Sequence, residues 1–505
     1  MLELIKSQGF YFMYWVNFLH IYQPGNQVKE IFDRVVSECY APLIDSLLNN
    51  PKTKISLNIN AVLTERLNKD YPELIEKLKT VASRGQIEFT DSAKYHALLP
   101  LLPDDEIERQ LTLNRETNQK ILGDGYNAMG VFPPEMAFSP RLLPILEKMG
   151  YKWILVDEIA YNGKLNQLKK NVTYKIHGSN LNIFFRERAP SNLIMSAMVR
   201  HEEDLRNYLK EEYGSKDYMV TGMDGETFGH HRPGLQTLLT ELLNSTEFEH
   251  TFFIDLLKTF PESVEVNPVV STWASSQKDI EEQIQFISWN EPNNLIQKLQ
   301  WELQRLVMTE VKAKWQEQKA NVAREKLDIG LASDQFFWSS GKPWWSLEAI
   351  ELGAWTLLDS LKSLPSPDSK IVGQAYEIYL NIIAMAFEWQ RSGRVRQLAK
   401  DMKDAPRIPF KDRTVGAGEP WVYDTFIDLM RQEMKKAAEK ENFEEAVLWR
   451  DAIWKLETKN DIFDAIHAVD LLRHHVPNID IENMIKKYKA DYDHLVSGQP
   501  EQRAI

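Results

Sequence analysis

The sequence predicts an α/β protein with a distorted (β/α)7 barrel, followed by an α-helical domain and a helical C-terminal tail. Over the first 270 or so residues, short apolar runs alternate with amphipathic stretches, as in parallel strands joined by crossover helices. About seven such units favour a closed barrel over an open sheet. Beyond residue 284 the strand pattern fades and helical periodicity replaces it.

The predicted strands are short runs rich in β-branched and aromatic residues. They cover residues 14–19, 55–59, 86–89, 128–132, 153–156, 218–223 and 264–270. The amphipathic stretches between them predict helices, which cover residues 30–48, 63–82, 104–121, 141–149 and 202–212. Residues 172–188 break this alternation and have the pattern of an inserted hairpin.

The rest of the chain predicts two helical regions. Helical periodicity covers residues 295–319, 347–361 and 371–389, and then 424–440, 443–457 and 461–472. The segment 405–418 combines Pro, Gly and mixed charges, which is typical of a linker. We therefore expect a barrel over residues 1–285, a helical domain over 286–405 that completes a cleft, and a helical region over 419–505.

Composition narrows the class of protein. Hydrophobic residues make up 43% of the chain, which indicates a folded globular protein. The net charge of −13 lacks the basic footprint of nucleic-acid binding. Cys39 is the single cysteine, which indicates a reducing compartment. The apolar stretch at residues 10–19 is too short to span a bilayer, so we expect a cytoplasmic protein that binds neither nucleic acid nor a membrane.

Polar side chains gather where the predicted strands end, which is where barrel enzymes place their active sites. After the sixth strand come two carboxylates, Asp224 and Glu226, with two histidines and with glycines that allow sharp turns. After the fourth strand, Glu135 follows two prolines. Two carboxylates at the tips of two strands are what acid-assisted cleavage of a glycosidic bond requires.

Five blocks of sequence, in order over roughly residues 12–345, carry a family resemblance. They are His20-Ile21-Tyr22-Gln23-Pro24; Gly85-Gln86-Ile87-Glu88, then His96 and Pro100-Leu101; Pro134-Glu135; Asp224-Gly225-Glu226-Thr227-Phe228-Gly229-His230; and Ser333-Asp334-Gln335-Phe336-Phe337-Trp338. The chain thereby resembles glycoside hydrolase family 57, retaining enzymes that act mostly on α-glucans. One departure is Tyr22, which stands where the family has a histidine and could still donate a hydrogen bond.

The resemblance implies double displacement, with Glu135 as the nucleophile and Asp224 as the acid/base. Their carboxyl groups should then lie about 5–5.5 Å apart, and burial beside an anionic Glu135 should raise the pKa of Asp224. No cofactor or metal ion is expected. The candidate substrate-binding residues are His20, Gln23, Glu88, His96, Asp157, Glu226, His230, Trp273, Asp334 and Trp338. Glu226 could instead cap its turn, and His96 could be a buried core histidine.

A separate resemblance lies near the C-terminus. Residues 434–456 resemble the UVR motif, a short helical hairpin that pairs with other proteins; the matching positions are Ala437, Phe443, Ala446, Arg450, Asp451 and Leu456. The resemblance implies a protein partner or self-association through residues 431–457. An ordinary charged helical hairpin is the alternative, and a role in DNA repair is not expected.

Two other classes of function remain open at this stage. A metal-dependent polysaccharide deacetylase can share a similar barrel, but it needs an Asp and two His on one divalent ion, and adjacent residues such as His230 and His231 point apart. A catalytically inactive glycan-binding protein is the second. Within the favoured class, the sequence separates neither hydrolysis from glucan transfer, which depends on water access, nor α-glucans from α-galactosides.

Overall fold

A computed structural model describes residues 13–497 except 198, 215, 233, 343, 402–419, 459–467, 470, 473 and 474. Ten strands form one sheet in this part of the chain. They are β1 (Met13–Ile21), β2 (Ile55–Ile59), β3 (Ile87–Asp91), β4 (Gly130–Val131), β5 (Trp153–Asp157), β6 (Thr173–Ile176), β7 (Asn182–Arg186), β8 (Tyr218–Asp224), β9 (Phe248–His250) and β10 (Ser263–Val266). The strand order is β10-β6-β7-β5-β4-β3-β2-β1-β8, with β9 beside β1.

The sheet curls into a barrel of seven strands, β1 to β5 with β7 and β8. Neighbouring strands of this wall pair in parallel. The two end strands of this wall, β7 and β8, meet where the Glu187 N–H, just after β7, donates to the Val220 carbonyl of β8 at 2.9 Å. The expected distorted (β/α)7 barrel is therefore confirmed.

One predicted strand takes a different place. We expected residues 264–270 to form the seventh barrel strand and residues 172–188 to be an insertion. Instead β7, the second strand of that hairpin, is the barrel strand, and β10 pairs with β6 outside the wall. Burial explains the exchange, because four of the five residues of β7 are buried, whereas three of the four residues of β10 are exposed or only partly buried.

The α-helices form most of the remaining described chain. They are α1 (Lys29–Val35), α2 (Ala41–Asn49), α3 (Ala61–Asp70), α4 (Pro72–Ser83), α5 (Asp104–Leu122), α6 (Leu143–Lys148), α7 (Arg188–Met195), α8 (Glu202–Glu212), α9 (Leu235–Asn244), α10 (Phe253–Thr259), α11 (Gln277–Glu281), α12 (Leu295–Gln318), α13 (Asn321–Gly330), α14 (Asp334–Phe337), α15 (Leu347–Lys362), α16 (Ser369–Ser392), α17 (Arg394–Asp401), α18 (Pro420–Glu439), α19 (Phe443–Thr458) and α20 (Asn478–Ser497).

Several predicted helices differ in their limits. The stretch predicted over residues 30–48 is broken by a π-helical turn, Val36–Tyr40, between α1 and α2. The stretch predicted over residues 63–82 divides into α3 and α4 at Pro72, which fits the first turn of a helix but not its interior. The predicted linker 405–418 and most of the predicted helix 461–472 lie outside the described residues.

The barrel interior changes in character from one end to the other. Near the amino-terminal ends of the strands, α10 plugs the barrel: Phe253 packs on Trp153 and Phe184 at ring-centroid distances of 4.6 and 4.9 Å, and Phe260 packs on Tyr14. This apolar cluster fills the lower interior. Polar side chains are therefore left to the upper end, where the strands finish.

The helical region beyond the barrel shares the barrel's outer core. One buried cluster joins β5 and β7 to α12, α13, α15 and α16, so the helical region is packed firmly against the wall. The hairpin of α18 and α19 has its own core with α20. No helix in the described part of the chain is long and apolar enough to cross a membrane.

Candidate active site

The polar upper end of the barrel begins at the paired ends of β1 and β8. Their parallel register sets His20 beside Asp224, and β2 sets Asn58 on the other side of His20. His20 Nδ1 lies 2.8 Å from Asn58 Oδ1, and the Asn58 amide nitrogen donates to the Thr90 carbonyl at 3.1 Å. Burial lowers the pKa of His20 to about 4. The ring is therefore neutral near pH 7, with its Nδ1 proton directed to Asn58.

Glu135 lies on a tight turn directly after β4. Its backbone has a φ of 63°, and Met136 follows with a φ of 49°. Such left-handed conformations are unfavourable for residues other than glycine and persist only where their surroundings enforce them. Trp273 does so here, because its backbone N–H donates to the Glu135 carbonyl at 3.1 Å and its indole N–H donates to Glu135 Oε2 at 2.7 Å. The side chain of Glu135 is 16% exposed.

Glu135 and Asp224 interact electrostatically. Burial raises the pKa of Glu135 to about 8, with a further contribution from the charge of Asp224, while the Trp273 hydrogen bond lowers it. Burial also raises the pKa of Asp224 to about 6, against the opposing charge of Arg186. We expected the charge of Glu135 to raise the pKa of Asp224; instead the larger rise falls on Glu135. Two such acids hold one proton between them near neutrality.

A stack of rings forms one wall of the site. His96 lies face to face with Tyr22, with ring centroids 4.3 Å apart, and the His20 ring lies 5.2 Å from His96 and 6.2 Å from Tyr22. His96 Nδ1 lies 3.1 Å from the Ser333 hydroxyl and 3.9 Å from Glu135 Oε1. Burial holds the pKa of His96 well below its usual range, and its Nε2 is buried without a hydrogen-bond partner.

Asp334 joins this wall from the helical region. The Tyr22 hydroxyl donates to Asp334 Oδ2 at 2.8 Å. Burial raises the pKa of Asp334, and its charge in turn adds to the rise in the pKa of Glu135. The structure therefore brings together Glu135, Asp224, His20, His96, Trp273 and Asp334 of the predicted site.

Glu226 supports the site from behind. Its Oε1 accepts the Tyr22 backbone N–H at 3.1 Å and also the Tyr40 hydroxyl. Burial, and then the charge of Asp224, raises its pKa to about 7. Oε1 of this buried side chain is thus occupied within the protein, and a contact of Glu226 with a sugar stays a prediction.

Two of the predicted substrate-binding residues have protein partners in this fold. Asp157 is fully buried, and its two oxygens accept from Arg186 Nη1 at 3.0 Å and from Arg188 Nε at 2.7 Å. Glu88 lies one inward-facing position below Thr90, and it accepts the backbone N–H groups of Phe253 and Ile254 at the start of α10. Glu88 therefore caps the helix that plugs the barrel. Both carboxylates are thus bonded to protein donors in this structure, and their contact with a substrate stays a prediction.

Three further predicted residues lie at the margin of the site. His230 pairs with Glu38 of the π-helical turn at 2.7 Å. Gln23 Oε1 accepts from Gln27 at 3.1 Å. Trp338 packs edge to face on Phe337, with centroids 5.7 Å apart. A contact of these side chains with substrate stays a prediction.

Sequence reasoning gave no role to Arg186 and noted Tyr22 only as a departure from the family pattern. Arg186 approaches Asp224 because β7 is a barrel strand, which the pattern of residues 172–188 did not reveal. Its Nε donates to the Gly222 carbonyl at 2.6 Å. Among the described residues, no three His, Cys, Asp or Glu side chains are placed to hold a metal ion.

A parallel barrel with a pair of interacting carboxyl groups at the carboxyl ends of its strands has the architecture of barrel glycosidases. The chain belongs to glycoside hydrolase family 57. The model of "Glycosyl hydrolase family 57" matches residues 2–278, more than half of the 505-residue chain. A second model, the UvrB/uvrC motif, matches residues 424–459. Both family resemblances are confirmed.

Relatives from two organisms are similar to part of this chain. Alpha-amylase 1 from Dictyoglomus thermophilum is 30% identical over 144 residues, which are 28% of this chain and 21% of that protein. The 4-alpha-glucanotransferase from Thermococcus litoralis is 25% identical over 149 residues, 29% of this chain and 22% of that protein. The match thus spans under a quarter of these relatives' length.

A solved structure extends the likeness in fold. The structure of a branching enzyme from Thermococcus kodakaraensis matches with a TM-score of 0.57 at 18% identity, and the match covers 72% of this chain and 94% of that one. The match covers more of this chain than the barrel alone, so the shared fold extends beyond the barrel.

Proposed function

We propose that the protein is a retaining glycosidase or transglycosidase that acts on α-glucans through a glycosyl–enzyme intermediate. The observation that carries this proposal is the electrostatic coupling of Glu135 and Asp224 at the mouth of the barrel. Membership of family 57 and the likeness to amylases and to a 4-alpha-glucanotransferase support the substrate class.

In the proposed reaction, an ionised Glu135 attacks the anomeric carbon and forms a glycosyl ester. Asp224 donates its proton to the departing glycosidic oxygen. Asp224 then takes a proton from water or from a sugar hydroxyl, which attacks the ester and restores Glu135. The Trp273 indole N–H, on Glu135 Oε2, favours the ionised nucleophile.

The reaction requires the proton of the pair to sit on Asp224 while Glu135 is ionised. In the free protein the pKa of Glu135 is the higher of the two. The positive charge that develops on the sugar in the transition state stabilises the Glu135 carboxylate and favours the reactive arrangement.

The experiment is incubation with maltooligosaccharides and, separately, with an α-galactoside, followed by separation of products. Shorter glucans alone indicate hydrolysis, and longer products indicate transfer. Glu135→Gln and Asp224→Asn should each remove turnover while the circular dichroism spectrum stays that of the wild type. Turnover at the wild-type rate in either variant would falsify the assigned roles.

The C-terminal hairpin supports a second proposal, that two copies of the chain associate through α18 and α19. One face of α19 packs into the hairpin core, whereas Phe443, Val447 and Leu448 are 62%, 42% and 56% exposed. Exposed apolar clusters of this kind mark interaction surfaces. Light scattering should give a mass that falls on dilution, and a Phe443→Ser/Val447→Ser variant should be monomeric with unchanged turnover. A monomeric wild type at high concentration contradicts this proposal.

A further inference from the structure

Tyr22 makes three contacts at the mouth of the barrel. Its hydroxyl donates to Asp334 Oδ2 at 2.8 Å, and its backbone N–H donates to Glu226 Oε1 at 3.1 Å. Its ring lies on the imidazole of His96, with centroids 4.3 Å apart and planes within 11° of parallel. Hydroxyl, backbone and ring are thus each fixed to a different residue of the site.

These contacts close a cycle that includes Ser333. The Ser333 hydroxyl lies 3.1 Å from His96 Nδ1, and the Ser333 N–H donates to the His96 carbonyl at 3.2 Å. Ser333 and Asp334 are adjacent in the chain. Tyr22 therefore contacts both Asp334 and His96, which is the partner of Ser333. The cycle joins the end of β1, the loop after β3 and the start of α14. His96 in turn lies 3.9 Å from Glu135.

We propose that Tyr22 is a positioning residue: its hydroxyl fixes the Asp334 carboxylate and its ring fixes His96 against Glu135. This inference rests on the proposed function.

The contact also bears on substrate recognition, because the single hydroxyl proton of Tyr22 is already donated to Asp334. The pair then offers a sugar only acceptor oxygens, so a sugar hydroxyl that reaches it must be a hydrogen-bond donor.

The charges around Asp334 give the proposal a measurable pH dependence. The titratable groups that interact with it are Tyr22 after β1 and Glu135 after β4, and His96 after β3 lies against the adjacent Ser333. The Tyr22 hydrogen bond lowers the pKa of Asp334 against the effect of burial. Loss of that hydroxyl should therefore raise the pKa of Asp334 and leave it protonated at higher pH.

The first test does not depend on turnover. Thermal midpoints are measured at pH 8 and pH 4 for Tyr22→Phe, Asp334→Ala and the double variant. Tyr22→Phe should lower the midpoint by about 2 °C at pH 8. The loss should be smaller at pH 4, where more of Asp334 is protonated, and in the Asp334→Ala background. Equal losses in both backgrounds overturn the coupling of Tyr22 to Asp334.

A matched control comes from a second tyrosine–carboxylate pair. The Tyr379 hydroxyl donates to Glu351 Oε1 at 2.7 Å, between α16 and α15. Tyr379→Phe removes the same kind of bond outside the proposed site. It should lower the thermal midpoint to a similar or smaller extent and leave kcat/KM and its pH profile unchanged.

The second test measures kcat/KM for maltooligosaccharides from pH 4 to pH 10. Tyr22→Phe should lower kcat/KM about tenfold. It should also move the acid limb of the profile to lower pH, because a neutral Asp334 no longer raises the pKa of the Glu135–Asp224 pair that sets this limb. The basic limb should not move. Tyr22→His, which keeps a ring and an N–H donor, should recover part of the loss.

The two proposals fail in different ways. An unmoved acid limb with unchanged kcat/KM in Tyr22→Phe overturns the role of Tyr22 in an otherwise active enzyme. A wild-type chain that turns over no α-glucan contradicts the proposed function, while the thermal cycle still reports on the link between Tyr22 and Asp334. A Tyr22→His variant no better than Tyr22→Phe also contradicts the positioning role.

Discussion

Two partly buried glutamates inside the same barrel show how differently this fold treats a carboxylate. Glu88 lies near the plugged end, and burial raises its pKa to about 7. Glu135 lies at the mouth, and burial raises its pKa to about 8. Glu88 accepts hydrogen bonds from Ser56 at 2.9 Å and from the backbone of Phe253 and Ile254 at 2.8 and 3.1 Å. Both carboxylate oxygens of Glu88 therefore accept hydrogen bonds from the start of α10.

Glu135 has the opposite surroundings. It receives one indole N–H, and the charges of Asp224 and Asp334 add to the rise in its pKa. Its backbone is also held in a left-handed conformation. A raised pKa therefore does not by itself distinguish a reacting carboxylate from a structural one. The difference lies in whether the protein satisfies the carboxylate or leaves it facing other acids.

The largest expected effect separates the two glutamates by activity. Glu135→Gln should lower kcat roughly 10⁴-fold or more, because a neutral amide cannot form the glycosyl ester. Glu88→Ala should change kcat of the folded protein by less than about tenfold, since Glu88 contacts α10 and not the proposed reacting atoms. Single-substrate kinetics on maltooligosaccharides measures both. A loss of similar size in the two variants would contradict the assignment of Glu135 as the reacting glutamate and Glu88 as a structural one.

The pH dependence sharpens the contrast at the mouth of the barrel. The active form of the pair carries one proton, so kcat/KM should follow a bell with limbs near the pKa values of about 6 and about 8. Activity should be about 100-fold lower two pH units below the acid limb. The measurement is an initial-rate profile at low substrate concentration. A flat profile between pH 5 and pH 9 would show that this coupled pair does not control the rate.

Trp273 is the residue that most directly favours ionised Glu135. Trp273→Phe keeps an aromatic ring and removes the indole N–H on Oε2, so the pKa of Glu135 should rise further and the reactive arrangement become rarer. We expect kcat/KM to fall about tenfold, which corresponds to a hydrogen bond to a charged group. Trp344→Phe is the control, because it makes the same substitution at a tryptophan that does not donate to Glu135. Unchanged kinetics in Trp273→Phe would mean that the bond does not act on the nucleophile.

The sequence predicted much of the fold because its strands and helices differ clearly in periodicity. β1, β2, β5 and β8 lie where apolar runs predicted them, and polar residues do collect at their ends. The sequence did not reveal that β7, rather than the strand predicted over residues 264–270, belongs to the barrel wall. A strand of a hairpin and a strand of the wall have the same local pattern. Only burial, which depends on the whole fold, tells them apart.

The site was predicted less evenly. Motifs placed Glu135, Asp224 and His96 at the barrel mouth, because residues near strand ends share one edge. Trp273 reaches the same site although the strand expected before it lies outside the wall. Asp157 lies at such an end too, yet two arginines distant in sequence occupy it. Such pairing follows from side-chain direction and cannot be obtained from strand position alone. Tyr22 was visible in the sequence only as a substitution, without its link to Asp334.

The smallest expected effect distinguishes the glutamates by stability. Glu88→Ala should lower the free energy of unfolding by about 1–3 kcal/mol, because two backbone N–H groups of α10 lose their acceptor.

Glu135→Gln should instead raise the free energy of unfolding. The folded-state pKa of Glu135, about 8, lies above its ordinary 4.5, so the wild type loses stability as pH rises from about 4.5 to about 8. Glutamine cannot ionise, so the advantage of Glu135→Gln over the wild type should grow across that window. Thermal midpoints at pH 5 and pH 8.5 measure it, and an advantage that shrinks with rising pH would contradict the raised pKa on which the proposed pair depends.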